Sequence, residues 1–112
     1  MSFRIQRIEK LIEKELATIL QNEAHNELLH FVSITKVVLA PDMSLATIWF
    51  TVLGSDAEKE ATAKALDGAK GYLRSEIAHR LDIRRSPELR FKYDESIDYG
   101  NHIEEILNDL KK

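Results

Sequence analysis

The chain has 112 residues, of which 44% are hydrophobic and 31% charged, and its net charge is -3; these values are typical of one folded domain. It has no cysteine, so disulfides, thiolate metal sites and cysteine nucleophiles are excluded, as expected of a cytoplasmic protein. The N-terminus has no apolar signal segment, and the longest apolar run, residues 37–40, is far shorter than a membrane span. We therefore expect a single cytoplasmic domain over residues 1–112 with no membrane association.

The N-terminal part of the chain has the pattern of an amphipathic helix over residues 3–23, followed by a loop or a short extra turn over residues 24–30. Apolar residues spaced three and four apart, with Glu and Lys between them, indicate the helix: Ile5, Ile8, Leu11, Ile12, Leu16, Ile19 and Leu20. One face of this helix should therefore lie on the core.

Two strands joined by a hairpin are predicted next. The first strand begins at Phe31, and its alternation changes phase near Lys36, which predicts a bulge or a change of face there. The proline of the sequence Pro41-Asp42-Met43-Ser44 predicts a turn. The second strand places Trp49 on its less apolar face and directs four alternate residues to the core: Ala46, Ile48, Phe50 and Val52.

Two helices separated by a break should follow. Ser55 and Glu58 fit a capping box at the start of the first helix. Four alanines spaced four apart predict a close approach of this helix to the sheet: Ala57, Ala61, Ala65 and Ala69. Gly68 and Gly71 each cost a helix about 1 kcal/mol relative to alanine, which predicts a kink or a tight break. The second helix should end near Asp82 and has an apolar stripe of three residues: Leu73, Ile77 and Leu81.

The end of the chain returns to the sheet and then to a helix. Pro87 stops the preceding helix, and the strand after it has an apolar face with Leu89, Phe91 and Tyr93 and a basic face with Arg90 and Lys92. A short acidic amphipathic helix is predicted over residues 103–110. The predicted fold class is α+β, in the order α-β-β-α-(kink)-α-β plus a C-terminal helix, with a three-stranded sheet packed on helices.

The break between the two helices allows two interpretations. Gly68-Ala69-Lys70-Gly71 matches the GxxG loop with which K-homology domains clamp nucleic-acid backbone, and the predicted element order is that of the bacterial type of K-homology domain. A four-residue GxxG often arises by chance, however. Helical apolar spacing also resumes almost at once after Gly71, which favours a kink over a protruding loop.

Several stretches that together span nearly the whole chain resemble the ribosome-binding factor A family: Arg4–Ile8, Glu15–Gln21, Ile34–Asp42, Ala46–Trp49, Ala69–Ser75 and Pro87–Asp94. The most specific are AKGYLRS and PELRFKYD, the last two of these stretches. The resemblance implies a K-homology type II-like domain. It also implies that an Ala-x-Gly kink, here at Ala69 and Gly71, replaces the phosphate loop between the helices.

The same resemblance implies a function in ribosome assembly. Members of the family bind the free or immature small (30S) ribosomal subunit through 16S rRNA, promote late 16S rRNA maturation and matter most in the cold. For this chain the resemblance implies a chaperone rather than an enzyme, and we predict a monomer without a cofactor. It further implies transient contact with assembly GTPases.

Contacts to RNA should come from Lys and Arg, because neutralising phosphates supplies most of the affinity. Residues 70–92 carry seven Lys or Arg against three Asp or Glu, which indicates a local electropositive surface, although a solvated surface of mixed ion pairs is the alternative. The candidates lie in this basic segment and at the start of the first helix: Arg4, Arg7, Lys70, Arg74, Arg80, Arg84, Arg85, Arg90 and Lys92.

The residues around each candidate in the sequence predict different environments for these side chains. Arg84 and Arg85 precede the Ser-Pro stop and should be exposed. Arg90 and Lys92 face away from the core with Trp49. This arrangement suits base stacking and phosphate binding, but it is equally typical of the solvent-exposed face of a sheet. Arg74 is equally well interpreted as an RNA ligand and as a partly buried ion-pair or capping residue. At residues 24–30, where the family commonly carries a Lys-Asp-Pro-Arg-like loop, this chain has no basic residue besides histidine, which weakens any case for RNA contact there.

Other function classes find less support in the sequence. The four histidines lack metal-ligand spacing, and no carboxylate pair is placed for acid–base catalysis, so we predict neither a metal site nor a catalytic site. Two alternatives stay open: a protein-binding module that uses its sheet or acidic C-terminal helix, and a K-homology-type module for another RNA. Salt sensitivity of RNA association would separate the first alternative, and the identity of the copurifying RNA the second.

Overall fold

The computed structural model describes residues 3–22 and 26–95. Its elements in chain order are α1 (Phe3–Asn22), a 3-10 helix (Glu27–Phe31), β1 (Ser33–Leu39), β2 (Leu45–Thr51), α2 (Asp56–Gly68), α3 (Lys70–Arg80) and β3 (Glu88–Tyr93). This order confirms the predicted α+β arrangement from the first helix to the third strand. The helix predicted over residues 103–110 lies outside the described residues.

The three strands form one sheet in the order β1-β2-β3. β1 and β2 are antiparallel, as their hairpin requires, whereas β2 and β3 are parallel and are connected by the two helices α2 and α3. The register of β1 against β2 shifts between Ile34 and Lys36, which confirms the predicted bulge. Because the bulge inserts one extra residue, both halves of β1 direct apolar side chains to the same face of the sheet.

The hydrophobic core lies between one face of this sheet and the helices. Its buried members come from every described helix and strand: Ile12, Leu16, Ile19 and Leu20 in α1, Leu29 in the 3-10 helix, Val37 and Leu39 in β1, Ala46, Ile48 and Phe50 in β2, Leu66 in α2, Leu73 and Ile77 in α3, and Leu89 in β3. The predicted core faces of β2 and β3 are therefore confirmed. The opposite face of the sheet carries Trp49 and is covered by none of the described helices.

The hairpin turn after β1 is stabilised by its own polar side chains. Pro41 occupies the second position of a turn in which the Met43 amide donates to the Ala40 carbonyl at 2.8 Å. The Asp42 carboxylate accepts hydrogen bonds from the Ser44 hydroxyl at 2.7 Å and from the Ser44 amide at 3.0 Å. These bonds, the hydroxyl first, hold the pKa of Asp42 below its ordinary value of 3.8 because they favour the charged carboxylate.

Two local predictions were wrong. Phe31 does not begin a strand but ends the 3-10 helix, and 71% of its surface is exposed. Ala57 and Ala61 do not face the sheet: both are exposed, and α2 instead buries Thr62 and Leu66. The Thr62 hydroxyl donates to the Glu58 carbonyl at 2.8 Å, so a polar side chain can lie in the core without an unsatisfied group.

The break between α2 and α3 is confined to Ala69. The Ala69 amide still donates to the carbonyls of Ala65 and Leu66 at 3.1 Å, and the Leu73 amide donates to the Ala69 carbonyl at 2.9 Å. With hydrogen bonds running through the break, the chain has no protruding loop at residues 68–71, so the phosphate-loop interpretation of GxxG is wrong. Gly71 lies within the first turn of α3, and a Cβ added there would meet nothing within 4 Å.

Candidate nucleic-acid interface

The arginine nearest the end of α3 is tied to two acidic side chains. Arg80 Nη1 lies 3.2 Å from Glu15 Oε2 of α1, and its Nε lies 3.3 Å from Glu76 Oε2 one helical turn earlier. Only 22% of the Arg80 side chain is exposed. The contact with Glu15 joins α3 to α1, so this guanidinium, one of the predicted RNA contacts, stabilises the packing of two helices.

The other two predicted cations of α3 also have partners within the chain. Arg74 Nη2 donates to the Ser86 carbonyl at 3.4 Å, and its Nε is buried without a hydrogen-bond partner among the residues that the structure describes. Lys70 Nζ lies 2.7 Å from Asp67 Oδ1. The structure thus gives Arg74 the partly buried structural position that was one of its two interpretations, and it pairs Lys70 with the last turn of α2.

The loop between α3 and β3 carries two exposed arginines, Arg84 and Arg85. Neither makes an ion pair with any residue in the ranges 3–22 and 26–95. Arg85 lies on the rim of a cleft of about 630 Å³ between this loop and the hairpin turn. The cleft is lined by Asp42, Met43, Ser44, Arg74, Arg85, Ser86, Pro87 and Glu88. Its walls carry both signs of charge, because Asp42 and Glu88 line it together with Arg74 and Arg85.

The solvent-facing side of the sheet brings together residues from all three strands, which we call the open sheet face: Lys36, Val38, Thr47, Trp49, Glu88, Arg90 and Lys92. In the strand register Trp49 lies opposite Lys36 on one side and opposite Lys92 on the other. Lys92 Nζ is 5.5 Å from the centroid of the Trp49 ring, a distance at which a cation and an aromatic ring attract.

Lys36 was missed as a candidate. Sequence reasoning used it only to place the bulge, although the resumed alternation of Val37 and Leu39 towards the core already puts Lys36 on the opposite face. What the sequence could not show was its partner, because strand pairing across β1, β2 and β3 sets Lys36 beside Trp49. A shallow cavity of about 380 Å³ adjoins this pair and is lined by Lys36, Trp49, Tyr93, Asp94 and Glu95.

Arg4 and Arg7, the remaining predicted cations, are exposed near the start of α1. The nine predicted residues thus fall into two groups. Three are engaged within the chain (Lys70, Arg74 and Arg80), and six are exposed (Arg4, Arg7, Arg84, Arg85, Arg90 and Lys92). Of the six, Lys92 also contacts the Trp49 ring and would leave it to neutralise a phosphate.

Among the described residues we find neither a metal site nor a membrane-spanning helix. Residues 3–22 and 26–95 contain no group of three or more His, Cys, Asp or Glu side chains that could hold a metal ion. Among the helices in these ranges, none is both long and apolar enough to cross a membrane. The arrangement is therefore one that can bind, through exposed cations and an aromatic ring on the sheet.

The chain matches the family model "Ribosome-binding factor A" over residues 4–107. It is 43% identical over 112 residues to ribosome-binding factor A of Macrococcus caseolyticus, covering 100% of this chain and 98% of that one. The fold resembles the solution structure of a Thermotoga maritima protein, with a TM-score of 0.71 and 31% identity over 82% of this chain and 88% of that one. It also resembles a homology model of Thermus thermophilus ribosome-binding factor A fitted into a cryo-EM map of a 30S complex, with a TM-score of 0.67 and 24% identity over 80% of this chain and 93% of that one.

Proposed function

Because the chain belongs to the ribosome-binding factor A family, we propose that it binds the free or immature 30S ribosomal subunit through 16S rRNA. The observation that carries this proposal is the match at 43% identity along the full chain to a protein named for ribosome binding. A second support is the 30S complex into which the Thermus thermophilus relative was fitted. In this proposal residues 1–112 act as one RNA-binding domain, as a monomer, in the cytoplasm.

The electrostatics of the described residues are compatible with RNA binding despite the net charge of -3. Binding depends on the local potential where the phosphates lie, and a surface with exposed Lys and Arg can be positive in an acidic protein. The exposed cations of the α3–β3 loop and of β3 lie close in sequence, at positions 84, 85, 90 and 92. We assign the RNA contacts to these four residues, with Arg4 and Arg7 as a separate group on α1.

The proposed role is that of an RNA chaperone in late 16S rRNA maturation, with its greatest importance in the cold. A protein that binds one rRNA conformation better than another shifts the population towards the first by its difference in affinity. Such a role needs no catalytic group. At low temperature misfolded RNA helices open more slowly, so the need for a protein that selects one conformation increases. Transient contact with assembly GTPases belongs to the same proposal.

Sedimentation of tagged protein in cell extract tests this function. Wild type should travel with free small subunits, and Arg84→Glu/Arg85→Glu should stay at the top of the gradient, because it replaces two attractive charges by two repulsive ones. The matched control is Lys14→Glu/Lys64→Glu, which changes the net charge by the same amount at exposed positions outside the basic segment. The control should travel with the subunits.

Each outcome has a defined meaning. If wild type never leaves the soluble fractions even at low salt, the ribosomal function is wrong and the protein-binding alternative gains support. If both double variants stay at the top while circular dichroism shows them folded, net charge matters but the assignment to Arg84 and Arg85 is wrong. Sequencing the RNA that copurifies with wild type distinguishes 16S rRNA from any other RNA.

A further inference from the structure

The open sheet face carries its single aromatic ring between two lysines, and we propose that it binds unpaired RNA nucleotides by stacking a base on Trp49. This inference rests on the proposed function and adds to it the form of RNA and the place where it binds. Unpaired bases can be splayed out and stacked on aromatic side chains, whereas bases within an RNA duplex cannot.

The strand register brings the necessary groups together. Lys36 and Lys92 lie directly opposite Trp49 on the two neighbouring strands. Adjacent strands are about 4.8 Å apart, so the two lysines flank the ring across roughly 10 Å. Lys92 Nζ is over the ring at 5.5 Å, and its flexible stem can move the ammonium from the ring to a phosphate as a base takes its place.

The charges on this face are arranged to orient a nucleotide. Arg90 lies opposite Thr47 on the same face, two residues along the strands from the Trp49–Lys92 pair, while Glu88 pairs with Leu45 at the far end of the strands. Four residues of strand separate Glu88 from Lys92, or roughly 13 Å, so its charge is distant from the ring. The phosphates should therefore lie towards the lysines and Arg90.

The cavity beside Trp49 suits the edge of the stacked base. Asp94 and Glu95 line it together with Lys36 and Trp49. The Asp94 carboxylate already accepts a hydrogen bond from the Thr35 hydroxyl at 2.6 Å, which holds it at the edge of the sheet. Carboxylates repel phosphates but accept hydrogen bonds from amino groups such as N4 of cytosine. The base edge, and not the backbone, should face this cavity.

Tryptophan fluorescence gives a direct test, because Trp49 is the chain's single tryptophan. The full chain is titrated with a single-stranded oligocytidylate of about 12 nucleotides, a length within the site sizes of single-strand binding domains, and with a duplex RNA of equal length. We expect the single strand to quench the fluorescence strongly and the duplex to quench it little.

Variants of Trp49 and Lys92 distinguish a base stacked on the ring from RNA that merely binds near it. Anisotropy of the labelled oligonucleotide should show that Trp49→Leu weakens binding by about 5- to 100-fold, whereas Trp49→Phe, which keeps an aromatic face, stays within about 3-fold of wild type. Lys92→Gln keeps the tryptophan and should lower the slope of log affinity against log salt by about 0.7 to 0.9. Lys64→Gln, on the exposed side of α2, is the charge-matched control and should leave the slope unchanged.

The inference is overturned if the oligonucleotide does not quench Trp49, if the duplex binds as tightly as the single strand, or if folded Trp49→Leu binds within about 2-fold of wild type. It is also overturned if Trp49→Leu loses cosedimentation with small subunits but keeps its affinity for the oligonucleotide, because the face would then contact a protein. If wild type cosediments while the stacking test fails, the proposed function stands without this site. If stacking is found but wild type does not cosediment, the site stands and the ribosomal function fails.

Discussion

Residues 70–80 carry three cations and residues 84–92 carry four, and the two sets lie in different surroundings. The first group, which we call the helical cations, consists of Lys70, Arg74 and Arg80, and each contacts an acidic side chain or a carbonyl of the chain itself. The second group, the exposed cations, consists of Arg84, Arg85, Arg90 and Lys92. The helical cations contribute to holding the fold together, and the exposed cations are available to a partner.

The difference shows that a count of charges overstates a binding surface. A cation that already has a carboxylate partner must break that contact before it can neutralise a phosphate, so its net contribution to affinity falls. Glu15 illustrates the point: it lies 65 positions from Arg80 in sequence, yet it removes Arg80 from the set of free cations. Four predictions test whether the two groups really behave differently.

The largest expected effect is on binding by the exposed cations. Arg84→Gln/Arg85→Gln should weaken binding to purified small subunits by about 10- to 100-fold at moderate salt and lower the salt slope by about 1.4 to 1.8, because two phosphate contacts are lost. Lys70→Gln should leave the slope unchanged. Equal slopes for both variants, measured from dissociation constants over a range of salt concentrations, would remove the distinction between the two groups.

The next effect is on stability and concerns the helical cations. Arg80→Met keeps the apolar stem but removes both contacts to Glu15 and Glu76, and it should lower the free energy of unfolding by about 1–2 kcal/mol. Urea denaturation measures this change. Arg84→Met is the matched control and should change the free energy by no more than about 0.5 kcal/mol, because the side chain is exposed. A normal affinity of folded Arg80→Met for small subunits is expected as well.

A smaller effect should come from the glycine in the first turn of α3. Gly71→Ala should raise the free energy of unfolding by about 0.4–1 kcal/mol, because alanine favours the helix and its Cβ meets nothing within 4 Å. Binding to small subunits should be unaffected, since the break at Ala69 forms no phosphate loop. Loss of RNA binding by stable Gly71→Ala would restore the phosphate-loop interpretation and place the RNA at the break between α2 and α3.

The smallest effect concerns Asp42, which lines the same cleft as Arg85. Hydrogen bonds from Ser44 lower the pKa of Asp42 in the folded protein below its ordinary 3.8. The carboxylate therefore contributes stability that is complete above its unfolded-state pKa and is lost as the pH falls through the folded-state pKa. Between about pH 5 and about pH 3, wild type should lose more of its free energy of unfolding than Asp42→Asn, which keeps an acceptor but does not titrate. Identical losses in thermal unfolding would contradict this assignment.

Most of the fold could be predicted from local signals. The spacing of Ile12, Leu16 and Ile19 sets the buried face of α1, and Ser55 caps α2 through a hydrogen bond from the Glu58 amide to its hydroxyl at 3.2 Å. Of the four alanines predicted to approach the sheet, Ala65 and Ala69 pack against the core, whereas the prediction was wrong for Ala57 and Ala61, because small side chains also suit an exposed helix face. Only packing against the 3-10 helix, β3 and α3 selects Thr62 and Leu66 as the buried stripe.

The sequence by itself determined the order of the elements, the hairpin turn, the bulge in β1 and the place of the helix break. Hydrophobic periodicity, proline and capping residues act over a few positions, so these signals can be recognised from the sequence without the tertiary structure. The tertiary structure alone decided which cations are exposed, because Arg80 meets Glu15 only when α3 packs on α1. It also decided that Lys36 and Lys92 flank Trp49, because that arrangement depends on the order and register of three strands, which long-range packing selects.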